Sequence, residues 1–126
     1  MVAFSFSVPS FRHSIPAGEK ITTIRQYTSD KRFEQIERSE IFYLYWKMRT
    51  PACELIAHAI PRDIRIVEDL LYWIEEKATA ADVAGDGFDS KHTMGLFFLD
   101  RHKVSELHGK WMIPRWYPCA GMGEGL

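Results

Sequence analysis

The chain opens on an alternation. Residues 3–8 (AFSFSV) put Phe4 and Phe6 on one face and Ser5 and Ser7 on the other, and Pro9 ends the run. A period of two predicts a half-buried strand. Residues 10–17 predict a short helical turn, stopped by Pro16 and Gly18. Residues 20–25 (KITTIR) are rich in β-branched side chains and predict an extended segment. Residues 28–39 are polar and predict a loop or a short helix around Phe33 and Ile36. Over 41–48 (IFYLYWKM) both faces are apolar, which predicts a central strand. After a turn at Thr50 and Pro51, residues 53–66 predict a further strand, broken or bulged at Pro61.

From residue 67 the period changes. Val67, Leu70, Leu71 and Ile74 recur at helical spacing, with Glu68 and Asp69 at the start and Lys77 at the end. Residues 82–88 (DVAGDGF) predict a loop. A second helix is predicted from about 90 to 102, capped by Asp89 or Ser90, with Met94, Phe97 and Phe98 as its buried stripe. Residues 109–117 (GKWMIPRWY) predict the last strand, which Pro114 assigns to an edge or a bulge. Strands therefore outnumber helices. The expectation is an α+β domain: a small mixed or mainly antiparallel barrel of about five to six strands, with two or three helices at its side. One domain spans 1–118, followed by a Gly-rich mobile tail over 119–126.

Composition narrows the class. With 126 residues, 46% hydrophobic and 26% charged, the chain is expected to form one globular core without a metal or disulfide staple. Cys53 and Cys119 have no C-x-x-C spacing and read as free thiols of a reducing compartment. No apolar run nears the ~20 residues of a membrane span, and no leader is visible, so a cytoplasmic protein without a membrane partner is expected. Asn is absent, in keeping with the avoidance of thermolabile amides in hot habitats.

The formal net charge of −1 hides a segregation. It is +3 over residues 11–50, −6 over 51–90 and +2 over 91–126. Such a chain is not coated in phosphate contacts, but one basic cleft remains open to it.

The chemistry-bearing segment is Ala17–Arg25 (AGEKITTIR). In an extended chain Thr23 and Arg25 share a face, and Lys20 beside the Gly18 turn leans over it. A cation next to a hydroxyl serves as an anion site, or as an activated nucleophile if the lysine is desolvated. On spacing alone the same residues are better read as a plain polar strand end beside a glycine turn. Asp86 is either a carboxylate for this site or the first residue of a Asp-Gly turn. Trp46, Trp111 and Trp116 either stack on bases or fill the core, and at least two of the three are expected inside. One of Arg115 and Trp116 must face outward. His13, His58, His92, His102 and His108 have no close ligand spacing, so neither metal nor cofactor is expected.

The string G-x-K-x-x-T-x-R at Gly18, Lys20, Thr23 and Arg25 resembles the signature of the ASCH domain family, within the PUA-like group of β-barrels. YWKMRTP (Tyr45–Pro51), DGFDSKHTMGLFF (Asp86–Phe98) and IPRW (Ile113–Trp116) resemble later segments of that family in order. The resemblance covers roughly residues 3–117. It implies a PUA-like barrel with a cleft between the Gly18–Arg25 segment and the Asp86 loop. It also implies a protein that binds RNA or a modified nucleotide. Lys20, Arg25, Lys47 and Arg49 would meet phosphates, Gly18, Thr22, Thr23 and Ser90 would shape the site, and Phe88 or Arg115 with Trp116 would hold the base.

Some small bacterial members of the family that this chain resembles are N4-acetylcytidine amidohydrolases, and nuclease activity has been proposed for others. In the amidohydrolase alternative, Lys20 would activate Thr23 or a water, and Asp86 would orient Lys20 or shuttle protons. Asp86 is one methylene shorter than the family's Glu, and a misplacement of roughly 1 Å costs ~10²-fold in rate.

Overall fold

The period-two segments pair into two three-stranded sheets. The computed structural model describes residues 1–119, so the predicted tail beyond Cys119 lies outside the described residues. The first sheet has the order β1 (Val2–Phe6), β3 (Phe42–Trp46), β4 (Glu54–Ala59). β1 runs parallel to β3, and β3 antiparallel to β4. The second sheet is antiparallel, in the order β2 (Arg25–Gln26), β6 (Trp111–Trp116), β5 (Pro61–Val67). β3 is central, as its two apolar faces required.

Pro61 does more than bulge a strand. It divides the predicted 53–66 segment into β4 and β5, which belong to different sheets. The chain thus passes from one sheet to the other across Ile60.

The strand predicted for 20–25 shrinks to β2 and one isolated bridge between Thr22 and Arg115. Its backbone is engaged elsewhere. The Ile21 and Thr22 amides both donate to the Gly85 carbonyl, at 2.7 and 3.2 Å. A single carbonyl serving two successive amides is incompatible with a regular ladder.

Pro114 occupies the middle strand of its sheet, not an edge. Its carbonyl accepts from the Thr23 amide at 3.1 Å. In an antiparallel strand the N–H of a residue points the same way as its carbonyl. The missing donor of Pro114 therefore falls on the Thr22–Thr23 side, where pairing is already reduced to one bridge.

Among the described residues six α-helical segments stand where two or three were expected: α1 (Phe11–Ser14), α2 (Asp30–Glu37), α3 (Leu70–Tyr72), α4 (Ala80–Gly85), α5 (Lys91–Arg101) and α6 (Val104–Leu107). Asp69 caps α3 by accepting from the Tyr72 amide. α3 then widens into a π turn over Trp73–Lys77, closed by Ala78 N to Trp73 O at 2.7 Å. α4 lies where the sequence predicts a loop. Thr79 and Asp82 form a reciprocal capping box at its start. That start signal lies upstream of the Asp-Gly pair that dominates the local reading.

β6 separates two apolar clusters. Met112 and Trp116 pack with Phe4, Phe6, Phe42 and Leu44, while Trp111 and Ile113 pack with Leu70, Met94, Phe98 and Leu107. Parity along one strand thus buries both terminal tryptophans on opposite faces. Trp46 is buried as well.

On the outside of the second sheet, Arg115 grips the Asp63 carboxylate with two hydrogen bonds. Those bonds hold the Asp63 carboxyl below the usual carboxylate range. A depressed folded-state value contributes stability above the unfolded value, and that contribution is lost as pH falls through the folded one. Asp63→Asn is therefore expected to cost under ~1 kcal/mol at neutral pH, since the pair is part-exposed. The gap should close in thermal melts as pH falls below the ordinary carboxylate range; a gap that is constant with pH would contradict this account.

Candidate functional site

A glycine turn, a helix end and a buried ion pair build the site. Gly18 has φ +77°, a conformation costly for other residues. With it, the chain turns so that the Glu19 and Lys20 amides both donate to Ser14 O, at 2.9 and 3.0 Å. Lys20 is thereby directed inward and is only 2% exposed.

Opposite, α4 ends in a Schellman motif. Gly87 N donates to Ala84 O and Phe88 N to Val83 O, with Gly87 at φ +92°. Asp86 is the last residue before that glycine, and its side chain turns inward at 3% exposure. The two readings of Asp86 thus coincide, because the turn is what delivers the carboxylate.

Lys20 Nζ makes three hydrogen bonds: to Thr22 O at 2.7 Å, Asp86 O at 2.6 Å and Asp86 Oδ1 at 3.2 Å. An ammonium has three N–H donors, so all are engaged. Nζ also lies 4.3 Å from the Phe11 ring centroid, within cation–π reach. Thr22 Oγ1 donates to Asp86 Oδ1 at 2.9 Å. Burial pushes Lys20 below its ordinary range and Asp86 above it, while each charge partly restores the other.

Arg25 lies over this pair. Its Nε donates to Thr23 Oγ1 at 2.9 Å and its Nη2 to Ser5 O at 2.8 Å, tying β2 to β1. Burial lowers Arg25 to about 10, against the opposing pull of the Asp86 carboxylate. Lys20, Thr23, Arg25, Asp86 and Phe88 all line one cleft of about 250 Å³. Thr23 and Arg25 do share a face, as the alternation requires.

The other expected residues sit elsewhere. Gly18 and Thr22 are supports: one forms the turn, the other holds Asp86. Ser90 is the N-cap of α5, accepting from the Thr93 amide at 3.1 Å, and does not line the cleft. Trp116 is fully buried between the sheets and Arg115 is occupied by Asp63, so neither reaches the cleft. Lys47 and Arg49 lie in the exposed turn after β3 and do not line the cleft. Among the described residues, no three His, Cys, Asp or Glu side chains gather into a metal-binding group. No helix there is long and apolar enough to cross a membrane.

The sequence reading missed one wall. Phe97, Phe98, Arg101 and His102 at the end of α5 line the cleft as well. Arg101 lies over the Phe97 ring at 3.8 Å, and His102 packs on Phe98 and Trp111. The signal was present: 97 and 101, and 98 and 102, are one helical turn apart. Assigning Phe97 and Phe98 to the core left Arg101 unconsidered and His102 weighed only as a metal ligand.

No family model matches the chain, and no curated protein matches it in sequence. Among solved structures, it is similar to the crystal structure of hypothetical protein PH0355, with a TM-score of 0.60 at 13% identity. The likeness covers 94% of this chain and 99% of that one. At that identity it speaks for a shared fold and not for a shared activity.

Proposed function

We propose that the cleft binds one nucleotide of RNA, or a modified nucleoside, in an ASCH-type module. Its two sheets would be the halves of a PUA-like barrel. Support for the barrel comes from the direct passage of β4 into β5 and from Tyr117 N donating to Ile60 O at that seam.

The observation that carries the functional reading is the division of labour in the cleft. Lys20 and Asp86 satisfy each other below the surface, while Arg25 is fixed at two points and has further N–H donors to offer a ligand. Phe88 and Phe97, 5.1 Å apart, give the pocket an apolar aromatic side. A planar base with polar edges suits such a mixture.

The amidohydrolase is the second reading. Lys20, Thr23 and Asp86 line the same cleft, and burial drives Lys20 and Asp86 toward their neutral forms. Against it, Thr23 Oγ1 is engaged by Arg25, and Lys20 has no N–H or lone pair left for it. Binding needs no such free base.

Fluorescence anisotropy with labelled single-stranded RNA at low salt tests the first reading. Affinity is expected to fall as salt rises, and Arg25→Ala is expected to weaken binding about tenfold or more, as for a lost charge-assisted hydrogen bond. No binding, or affinity indifferent to salt, overturns it. Release of cytidine from N4-acetylcytidine that disappears in Thr23→Val would establish the hydrolase instead.

A further inference from the structure

Beside the cleft runs a second groove, of about 470 Å³. The two share Ser5, Arg25 and Gln26, so they meet at the Arg25 guanidinium. Arg32 of α2 and Arg49 of the β3–β4 turn line the groove with Arg25, and no carboxylate lines it. Among the described residues none of these three arginines forms an ion pair.

The cations are held in place. The Arg25 and Arg32 guanidinia lie 5.5 and 6.0 Å from the centroid of the same Phe4 ring. Arg25 is further tied to Ser5 O. The turn that carries Arg49 is anchored to β1, because Met48 N donates to Ser5 Oγ at 3.0 Å.

That turn is also strained. Lys47 and Arg49 have φ +44° and +65°, in the left-handed region. Neither is glycine, and such conformations persist where surrounding structure over-determines them. Like charges gathered on one groove repel, and the repulsion is relieved when an anion enters.

We propose that this groove is a phosphodiester track, so that the ligand is a single-stranded polynucleotide rather than a free nucleoside. One base enters the cleft, and the adjoining backbone phosphates lie along Arg25, Arg32 and Arg49. The inference rests on the cleft reading above and adds to it the length of the ligand and the role of Arg32. Guanidinia suit this task, because their planar forks match phosphate oxygens two at a time.

The test compares lengths. Fluorescein-labelled mixed-sequence pentanucleotides, as RNA and as DNA, are titrated against the protein, and the four nucleosides and N4-acetylcytidine are run as competitors. Pentanucleotide binding at least tenfold tighter than any nucleoside is expected. Arg32→Ala and Arg49→Gly should each weaken pentanucleotide binding by roughly tenfold, and each should reduce the salt slope by about 0.7, the value of one single-strand phosphate. Arg49→Gly is informative because glycine favours the local backbone, so lost binding cannot be assigned to misfolding.

Nucleosides that bind as tightly as pentanucleotides would overturn the track and leave the cleft reading intact. Tight pentanucleotide binding with unchanged salt slopes in both variants would also overturn it. Absence of all binding would remove both readings. Preference between the two pentanucleotides identifies the polymer.

Discussion

Lys20→Met should unfold at a much lower urea concentration than wild type, with a loss of about 3–5 kcal/mol. The substitution removes the cation in direct contact with a carboxylate that is 3% exposed. Asp86 then keeps a single side-chain donor, the Thr22 hydroxyl. The carbonyls of Thr22 and Asp86 lose their shared donor as well. An uncompensated buried carboxylate escapes part of this cost by taking up a proton.

That escape fixes the sign of the pH dependence. Burial already raises Asp86 above the ordinary carboxylate value of 3.8, and loss of Lys20 raises it further. The folded variant therefore holds the proton more tightly than the unfolded chain does. Its stability is fullest below the unfolded value and falls as pH rises through the folded one. Urea unfolding at a series of pH values from about 4 to 8 should show a deficit relative to wild type that grows with pH. A deficit independent of pH would show that lost packing around Phe11, and not the stranded charge, is the cause. The RNA binding proposed above is expected to be lost with the Lys20–Asp86 pair, because that pair joins the segment carrying Thr23 and Arg25 to the helix end carrying Phe88.

Gly87→Ala is the second large effect, and it comes from backbone and packing together. A Cβ at residue 87 would lie 2.5 Å from Phe11 Cε1. Its φ of +92° is also unfavourable for alanine. The conformational cost of about 1–2 kcal/mol adds to an overpacking cost of about 1–3 kcal/mol. A fall in Tm of about 8–20 °C follows for a chain of this size.

Phe11 cannot simply step aside. It is buried, its ring packs edge-on against Phe6 and Phe88, and it supports the Lys20 ammonium. Placing Phe11→Leu in the same chain removes the clashing ring atom, so the double variant should be more stable than the sum of the single losses predicts. A Tm for Gly87→Ala within about 2 °C of wild type would mean that the turn relaxes freely and that the Schellman geometry is dispensable.

Much of the fold was written in short-range pattern. The alternations at 3–8 and 41–48 became β1 and β3, and the helical period at 90–102 became α5 with Ser90 as its cap. Where the pattern misled, a competing local signal had been overlooked or a long-range bond had won. The Thr79–Asp82 capping box outweighed the loop-like Asp-Gly pair. The Gly85 carbonyl drew the Ile21 and Thr22 amides away from a strand ladder. A proline that looked like an edge marker was accepted centrally, because the stretch facing its missing N–H is reduced to the single Thr22–Arg115 bridge.

The candidate site divides in the same way. Gly18, Lys20, Thr23 and Arg25 stand in one short motif whose turn and alternation are local, whereas Asp86 and Phe88 were set beside them only by the resemblance of both segments to one family signature. Three things could not be read there. Lys20 and Asp86 are 66 residues apart, and their contact depends on α4 ending beside the Gly18 turn. The saturation of the Lys20 donors depends on two backbone carbonyls that no side-chain motif records. The gathering of Arg25, Arg32 and Arg49 depends on β2, α2 and the β3–β4 turn meeting around β1. By itself the sequence determined which residues can turn, cap, alternate and carry charge, since those properties are local. Only the tertiary structure decided which charges are buried, paired or left facing an open groove, since burial and pairing are made by segments distant in the chain.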